Sequence, residues 1–211
     1  RPHWSTIWGG WFSGWERKKL NFQRQLIKFP LSPIFIPANK LDWIPKTFER
    51  GADSVILDLE DSVTETHKKK AREDLYLHLI DNKYEGNLIV RVNPIDQDLG
   101  LEDIKKLTDT DLSIDAFMVP KIEDSSFLSK LPEINVIPLL ETPRSIRNIT
   151  DIASQSRVKG LALGGADLSA SLGSTMDWDS LLYARSKIIL EASINNLFSI
   201  DSPFMDINDL E

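Results

Sequence analysis

Glu141 and Asp167 are the two residues of this chain whose type and setting best suit a metal ion. Each follows a short apolar run, Val136-Ile137-Pro138-Leu139-Leu140 for the first and Leu161-Ala162-Leu163 followed by Gly164-Gly165-Ala166 for the second. Two carboxylates supplying a few oxygens, with the other positions left to water and substrate, are the usual way of holding Mg²⁺. No His or Cys lies near them in sequence, which disfavours zinc. Taken singly, either acid would serve equally as a helix N-cap or a surface ion-pair partner. The buried run before each one, and the small residues that let a ligand approach Asp167, favour the metal.

Arg91 follows Leu88-Ile89-Val90. A guanidinium at a strand end offers a rigid fork matched to a carboxylate or an enolate oxygen, and it stays charged at any working pH. It would also serve as partner to Asp58 or Glu60, and the two roles are compatible. Lys121 raises imine chemistry, since a desolvated lysine at a strand end forms Schiff bases with keto substrates. An ion pair with Glu123 or Glu60 is the expectation for it, because metal and imine chemistry rarely need each other. His67 and His78 fall on a predicted helix away from these residues and read as surface or packing groups.

What must position these side chains is a parallel sheet. Val55-Ile56-Leu57 runs into Asp58-Leu59-Glu60-Asp61 and Ala116-Phe117-Met118-Val119 into Pro120-Lys121, as the three runs above run into Arg91, Glu141 and Asp167. Continuous apolar runs of this length suit strands buried on both faces, and their spacing leaves room for one helix between each pair. Charged groups at the C-terminal ends of successive parallel strands share one rim, where a (β/α) barrel builds its active site. The pattern predicts strands over 33–37, 54–59, 87–92, 116–122, 135–140, 160–163 and 197–201. It predicts helices over 41–50, ending before Gly51, over 64–79 with Ala71, Leu75 and Leu79 on one face, and over 181–194. The fold expected is therefore α/β, a (β/α)₈ TIM barrel truncated after its seventh strand.

Composition bounds the rest. With 211 residues, 41% of them hydrophobic, the chain can bury one sizeable core. It contains no cysteine, which excludes disulfides, thiolate metal sites and a cysteine nucleophile. A formal charge of −7 argues against nucleic acid as a partner, and no apolar stretch is long enough to span a bilayer. A cytoplasmic location is expected, with an organellar matrix as the alternative. Residues 1–30 differ from the remainder: six basic residues face only Glu16, leaving −12 for the rest of the chain. Trp4, Trp8, Trp11 and Trp15 recur there at helical spacing, as in a membrane-surface or targeting element, although Gly9, Gly10 and Gly14 weaken a helix. A tail or an aromatic flap on the barrel is the simpler expectation for this extension, and residues 31–211 are expected to form the barrel domain.

Longer strings carry a resemblance. Gly51-Ala52-Asp53-Ser54-Val55-Ile56-Leu57-Asp58-Leu59-Glu60-Asp61-Ser62-Val63, with Lys69 and Ala71-Arg72 behind it, resembles the citrate lyase beta-subunit family. So do Arg91-Val92-Asn93-Pro94, Val119-Pro120-Lys121-Ile122-Glu123, Glu141-Thr142-Pro143, Gly164-Gly165-Ala166-Asp167-Leu168-Ser169, Tyr183-Ala184-Arg185-Ser186, and Asp201 with Pro203-Phe204. The match runs in order from about Phe35 to Glu211 and is far more specific than any single motif. The family includes citryl-CoA and malyl-CoA lyases within the HpcH/HpaI aldolase superfamily. The resemblance implies a (β/α)₈ barrel assembling as a trimer or hexamer, and Mg²⁺ held by Glu141 and Asp167. It implies that Arg91 contacts the substrate's reacting oxygens and that the backbone at Ala166-Asp167 helps hold the substrate carboxylate. Glu60 and Asp61 then orient Arg91 and metal-bound water.

The activity so implied is cleavage of a carbon–carbon bond in a 3-hydroxyacyl-CoA, or in a related hydroxy or keto acid, through an enolate. Two departures from the family pattern bear on it. An Arg that usually helps hold CoA is replaced in the region of Leu31-Ser32-Pro33. The family's Gly-Lys and Ile-His-Pro segment and eighth strand lie beyond Glu211. The alternatives are an aldolase of the wider superfamily acting on a free 2-keto acid, and a non-catalytic truncated homologue.

Overall fold

The computed structural model describes residues 30–108 and 112–203. The expectations for the Trp-rich extension and for Phe204 lie outside the described residues.

Seven strands are present: β1 (Pro33–Pro37), β2 (Ser54–Asp58), β3 (Asn87–Arg91), β4 (Ala116–Val119), β5 (Val136–Leu140), β6 (Gly160–Leu163) and β7 (Phe198–Ile200). They pair in chain order, every neighbour parallel. All residues of β2, β4, β5 and β6 are buried, which is why these runs show no polar alternation. Their side chains divide with period two. Val55 and Leu57 pack outward among Leu75, Leu79 and Ile104, while Ile56 joins Ile89, Met118, Ile137, Leu139 and Ala162 in a second, inner cluster.

The inner cluster exists because the sheet curls. The outermost strands face each other across a groove lined by Leu31, Pro33 and Phe35 on one side and Ser199 and Ile200 on the other. On β1, Ile34 and Phe35 remain 46% and 37% exposed. The architecture is thus an open, curled α/β barrel of seven strands.

The helices are α1 (Trp43–Glu49), α2 (Glu65–Asp81), α3 (Asp98–Leu107), α4 (Pro143–Arg147), α5 (Ile149–Ala153), α6 (Gly165–Leu172) and α7 (Trp178–Ile194). Beyond α1, Gly51 takes φ +92°, the left-handed turn expected of a helix-ending glycine. On α2, Ala71, Leu75 and Leu79 are buried as their spacing predicts. The rule of one helix per connection fails in three places. Between β4 and β5 only a 3₁₀ turn, Ser125–Lys130, forms, and Pro132 forbids its extension by disfavouring helix at Leu131. Two helices lie between β5 and β6, α4 opening on a reciprocal Thr142–Ser145 cap with Pro143 first in the helix. Two more lie between β6 and β7. Strand β4 stops at Val119, short of the expected Ile122, because Pro120 lacks a ladder donor and Lys121 turns to φ +55°. No helix among the described residues is long and apolar enough to cross a membrane.

Candidate active site

The strand ends open on a cavity of about 470 Å³. Its lining holds Arg91 with the carboxylates Asp58, Asp61, Glu141, Asp167 and Asp201, and its apolar residues include Phe35, Met118, Leu139, Met176 and Ile200.

The polar wall is built from strand register. Asp58 and Arg91 are the last residues of β2 and β3 and are direct partners in the ladder. Arg91 donates from Nε and Nη2 to the two Asp58 oxygens, each at 2.7 Å. The same oxygens accept from the N–H groups of Glu60 (2.9 Å) and Ser62 (3.1 Å), so one carboxylate both grips the guanidinium and folds its own loop. Arg91 Nη1 also lies 3.2 Å from Glu60 and 3.3 Å from Asp61, and its guanidinium carbon sits 5.0 Å from the Phe35 ring centroid. Burial acts to raise the Asp58 carboxyl, yet the bonds and charge of Arg91 hold it below its ordinary value.

A buried brace stands behind this wall. Asp103 accepts from the Asn93 backbone (3.0 Å) and side chain (2.7 Å) through one oxygen and from Arg72 (2.9 Å) through the other. Asn93 also donates to the carbonyl oxygen of Leu59 at 3.1 Å. Two outer helices are thereby fastened to the β2 and β3 loops.

Glu141 is 4% exposed and accepts at 2.8 Å from the N–H of Lys121, which the left-handed turn of that residue aims at it. Burial pushes the Glu141 carboxyl up to about 8, with Glu60 and Asp167 adding to the rise and Lys121 opposing it. Burial also pushes Glu60 up to about 7, because the pull of Arg91 is offset by Asp61 and Asp58. Gly164 lets the next turn close over this site: a Cβ there would lie 2.5 Å from Glu141 Cβ and 2.7 Å from its Oε2.

Of the residues singled out from sequence, Asp61, Arg91, Glu141, Ala166 and Asp167 line one cavity. Glu60 is not among the lining residues; it lies behind Arg91, where its buried Oε2 accepts no hydrogen bond. The expected ion pair of Lys121 with Glu123 or Glu60 does not form within 4 Å among the described residues, and its exposed side chain is absent from the cavity wall. The left-handed turn points its backbone N–H at Glu141, while its ammonium reaches Glu141 and Glu60 only through its charge. His67 bonds its own helix-start Thr64 and His78 bonds Tyr84, as packing residues do.

Sequence reasoning missed Asp103 and Ser202. Asp103 looks like an ordinary surface acid of an amphipathic helix, and nothing in the spacing pairs it with residues 10 and 31 positions away. Only its place one turn before the basic end of α3 hinted at a helix there.

The residues fit a divalent cation. Among the described residues no trio of His, Cys, Asp or Glu forms a ready cluster. But three carboxylates (Asp58, Glu60 and Asp61) lie within 4 Å of the Arg91 guanidinium, Glu141 and Asp167 add two more to the site, and burial holds the protons of Glu60 and Glu141 unusually well. A hard cation placed between Glu141 and Asp167 would relieve such an excess of acidic groups.

Comparison with known proteins gives the same direction. A family model described as HpcH/HpaI aldolase/citrate lyase matches residues 31–211. Citrate lyase subunit beta of Leuconostoc mesenteroides subsp. cremoris is 28% identical over 197 residues, covering 84% of this chain and 65% of that protein. The human mitochondrial citramalyl-CoA lyase is 28% identical over 202 residues, covering 83% and 59% respectively. The chain thus spans less than two thirds of the length of these relatives. Among solved structures, a citrate lyase beta subunit from M. tuberculosis complexed with oxaloacetate and magnesium superposes with TM-score 0.73 at 30% identity, covering 84% of this chain and 80% of that one.

Proposed function

This chain belongs to the HpcH/HpaI aldolase/citrate lyase family, and on that premise we propose that its cavity breaks a carbon–carbon bond in a 3-hydroxyacyl-CoA thioester or a related hydroxy or keto acid, with Mg²⁺ held by Glu141 and Asp167. The observation that carries this reading is Arg91, held by Asp58, Glu60 and Asp61, in the same largely apolar cavity as Glu141 and Asp167. Bound there, the cation supplies Lewis-acid polarisation of the substrate's oxygens.

The chain's own groups do the rest. The hydroxyl proton passes to a carboxylate of the cavity, the C–C electron pair shifts onto the other half as an enolate, and the same proton then returns to the enolate carbon. Asp58 holds the fork of Arg91 so that its charge meets the enolate oxygen at no reorganisation cost. Glu60 and Asp61 hold its third nitrogen and keep the fork from swinging. The first amides of α6, at Ala166 and Asp167, receive the carboxylate of the keto-acid half. Phe35, Met118, Leu139 and Met176 exclude water from the forming enolate.

Cleavage of a free 4-hydroxy-2-keto acid is the second reading. It is favoured because Arg91 is the one Lys or Arg lining the cavity among the described residues, whereas CoA phosphates want more. We read the whole fold as a (β/α)₈ barrel whose eighth strand enters the β1–β7 groove. The homo-oligomer, trimer or hexamer, that the family resemblance implies would find an apolar contact surface in the exposed Trp178, Tyr183, Ile189, Leu190 and Ile194 of α7.

The deciding experiment supplies Mg²⁺ and, in separate assays, citryl-, malyl- and citramalyl-CoA and a 4-hydroxy-2-keto acid, and measures release of the keto acid. Turnover lost on adding EDTA and in Arg91→Lys supports the proposal. No release from any of them would mean a non-catalytic homologue.

A further inference from the structure

We propose that Ser202 is a positioning residue that sets how the start of α6 is offered to the substrate carboxylate; this deepens the lyase reading and rests on it. Ser202 stands just beyond β7, yet its hydroxyl reaches across to the neighbouring turn. It donates to the carbonyl oxygen of Leu163, the last residue of β6, at 2.9 Å, and accepts from the N–H of Gly165, the first residue of α6, at 2.7 Å. One hydroxyl therefore closes the β6–α6 turn from outside it.

The fit is steric as well as polar. A Cβ on Gly165 would lie 2.4 Å from the Ser202 hydroxyl oxygen, just as a Cβ on Gly164 would strike Glu141. The two glycines are moulded in opposite directions, one to a metal-site carboxylate and one to Ser202. Between them they fix where Asp167 begins its turn of helix.

The hydroxyl also selects donors. An α-helix leaves its first N–H groups without intrahelical acceptors. In α6 the Gly165 N–H is taken by Ser202 and that of Leu168 by Gly164. Ala166 and Asp167 keep theirs free among the described residues, and both line the cavity. Two adjacent N–H groups are what a carboxylate can meet with its two oxygens. Without Ser202, Gly165 would present a third, competing donor, and the Leu163 carbonyl would lose its own.

The test uses the full chain with Mn²⁺ and oxaloacetate as probes. Oxaloacetate affinity in the presence of Mn²⁺ should fall about tenfold in Ser202→Ala, the scale of one hydrogen bond to a charged group. Mn²⁺ affinity should stay within about twofold, and Ser202→Thr, which keeps the hydroxyl, should recover most of the loss. With a turned-over substrate, the change should fall on KM more than on kcat. A second, ligand-free arm follows amide hydrogen exchange at Gly165, which should quicken in Ser202→Ala and slow again in Ser202→Thr. Quickened exchange with unchanged oxaloacetate affinity overturns the positioning role, as does a loss that Thr does not recover. If the wild-type chain binds no oxaloacetate, the lyase reading falls by itself; unquickened exchange at Gly165 then overturns the role of Ser202 too, and quickened exchange upholds its hold on the turn.

Discussion

Asp58 and Arg91 end adjacent parallel strands as register partners and meet through two hydrogen bonds of 2.7 Å. The pairing is nearly dry, with the aspartate side chain 2% and the arginine 12% exposed. It leaves Glu60 and Glu141 to compete for what charge compensation remains, which makes the site's behaviour depend on protons and cations.

Asp58→Asn keeps shape and removes the charge from a buried pair. We expect a loss of about 3 kcal/mol in urea unfolding, since the guanidinium is left buried with weaker partners. An Asp58→Asn protein as stable as wild type would show that Glu60 and Asp61 replace it fully.

Metal affinity should rise with pH. A cation at Glu141 must displace the proton that burial holds there up to about 8. Below that value, Mn²⁺ affinity should gain up to about tenfold per pH unit, flattening above it. Asp167→Asn and Glu141→Gln should both weaken Mn²⁺ in calorimetric titrations; equal affinity in wild type and Asp167→Asn sinks the site.

Metal-free stability should run the other way. Glu60 and Glu141 bind protons more tightly folded than unfolded, so between about pH 5 and the folded values near 7 and 8 the native state holds the extra protons. Stability therefore falls as pH rises through that window, by at least about 1 kcal/mol. Added Mg²⁺ should raise the melting temperature more at pH 8 than at pH 6. A metal-free melting temperature that climbs from pH 5 to pH 8 contradicts the raised carboxyls.

Two glycine substitutions separate sterics from backbone strain. Gly164→Ala keeps an ordinary φ but drives a methyl into Glu141, so metal affinity should drop along with stability, the latter by about 1–3 kcal/mol. Gly51→Ala meets no atom within 4 Å but must hold φ +92°. It should cost about 1 kcal/mol and leave metal binding alone. Equal metal affinity in both variants would refute the close fit at Glu141.

Lys121 gives a chemical test. Its side chain is exposed and off the cavity wall. Borohydride with pyruvate or oxaloacetate should leave the protein mass unchanged, and a trapped adduct on Lys121 would restore imine chemistry.

The strands were legible because burial on both faces leaves an unbroken apolar run, and the residue after each run is then placed by geometry alone. That is how Arg91 and Glu141 could be set on one rim before any contact was known; Asp167 reaches it from the first turn of α6, beyond Gly164-Gly165-Ala166. The grip of Asp58 was legible only as one of two options for Arg91, since choosing between Asp58 and Glu60 needs the register. α4 was passed over although Thr142-Pro143 with Ser145 signals its start. Ser202 and Asp103 left no such signal, because their partners come from elements far along the chain. The ion pair expected of Lys121 was misjudged: no acid comes within 4 Å of it among the described residues, and the residue takes a left-handed turn after Pro120 with its side chain exposed.

The brace through Asp103 joins the rim to the outer wall of the barrel. Arg72 on α2 bonds both Asp103 and the more exposed Glu102 on α3, and Asp103 holds Asn93, which holds the Leu59 carbonyl. If α3 opens, the loops that follow Arg91 and carry Glu60 lose their anchor in the same event, leaving a buried arginine and asparagine unmatched. Outer helix and active rim then form one cooperative unit with a shared opening free energy. The amides of Asn93 and Thr108 should exchange with solvent at matching free energies, and an α3 that opens without Asn93 would divide that unit in two.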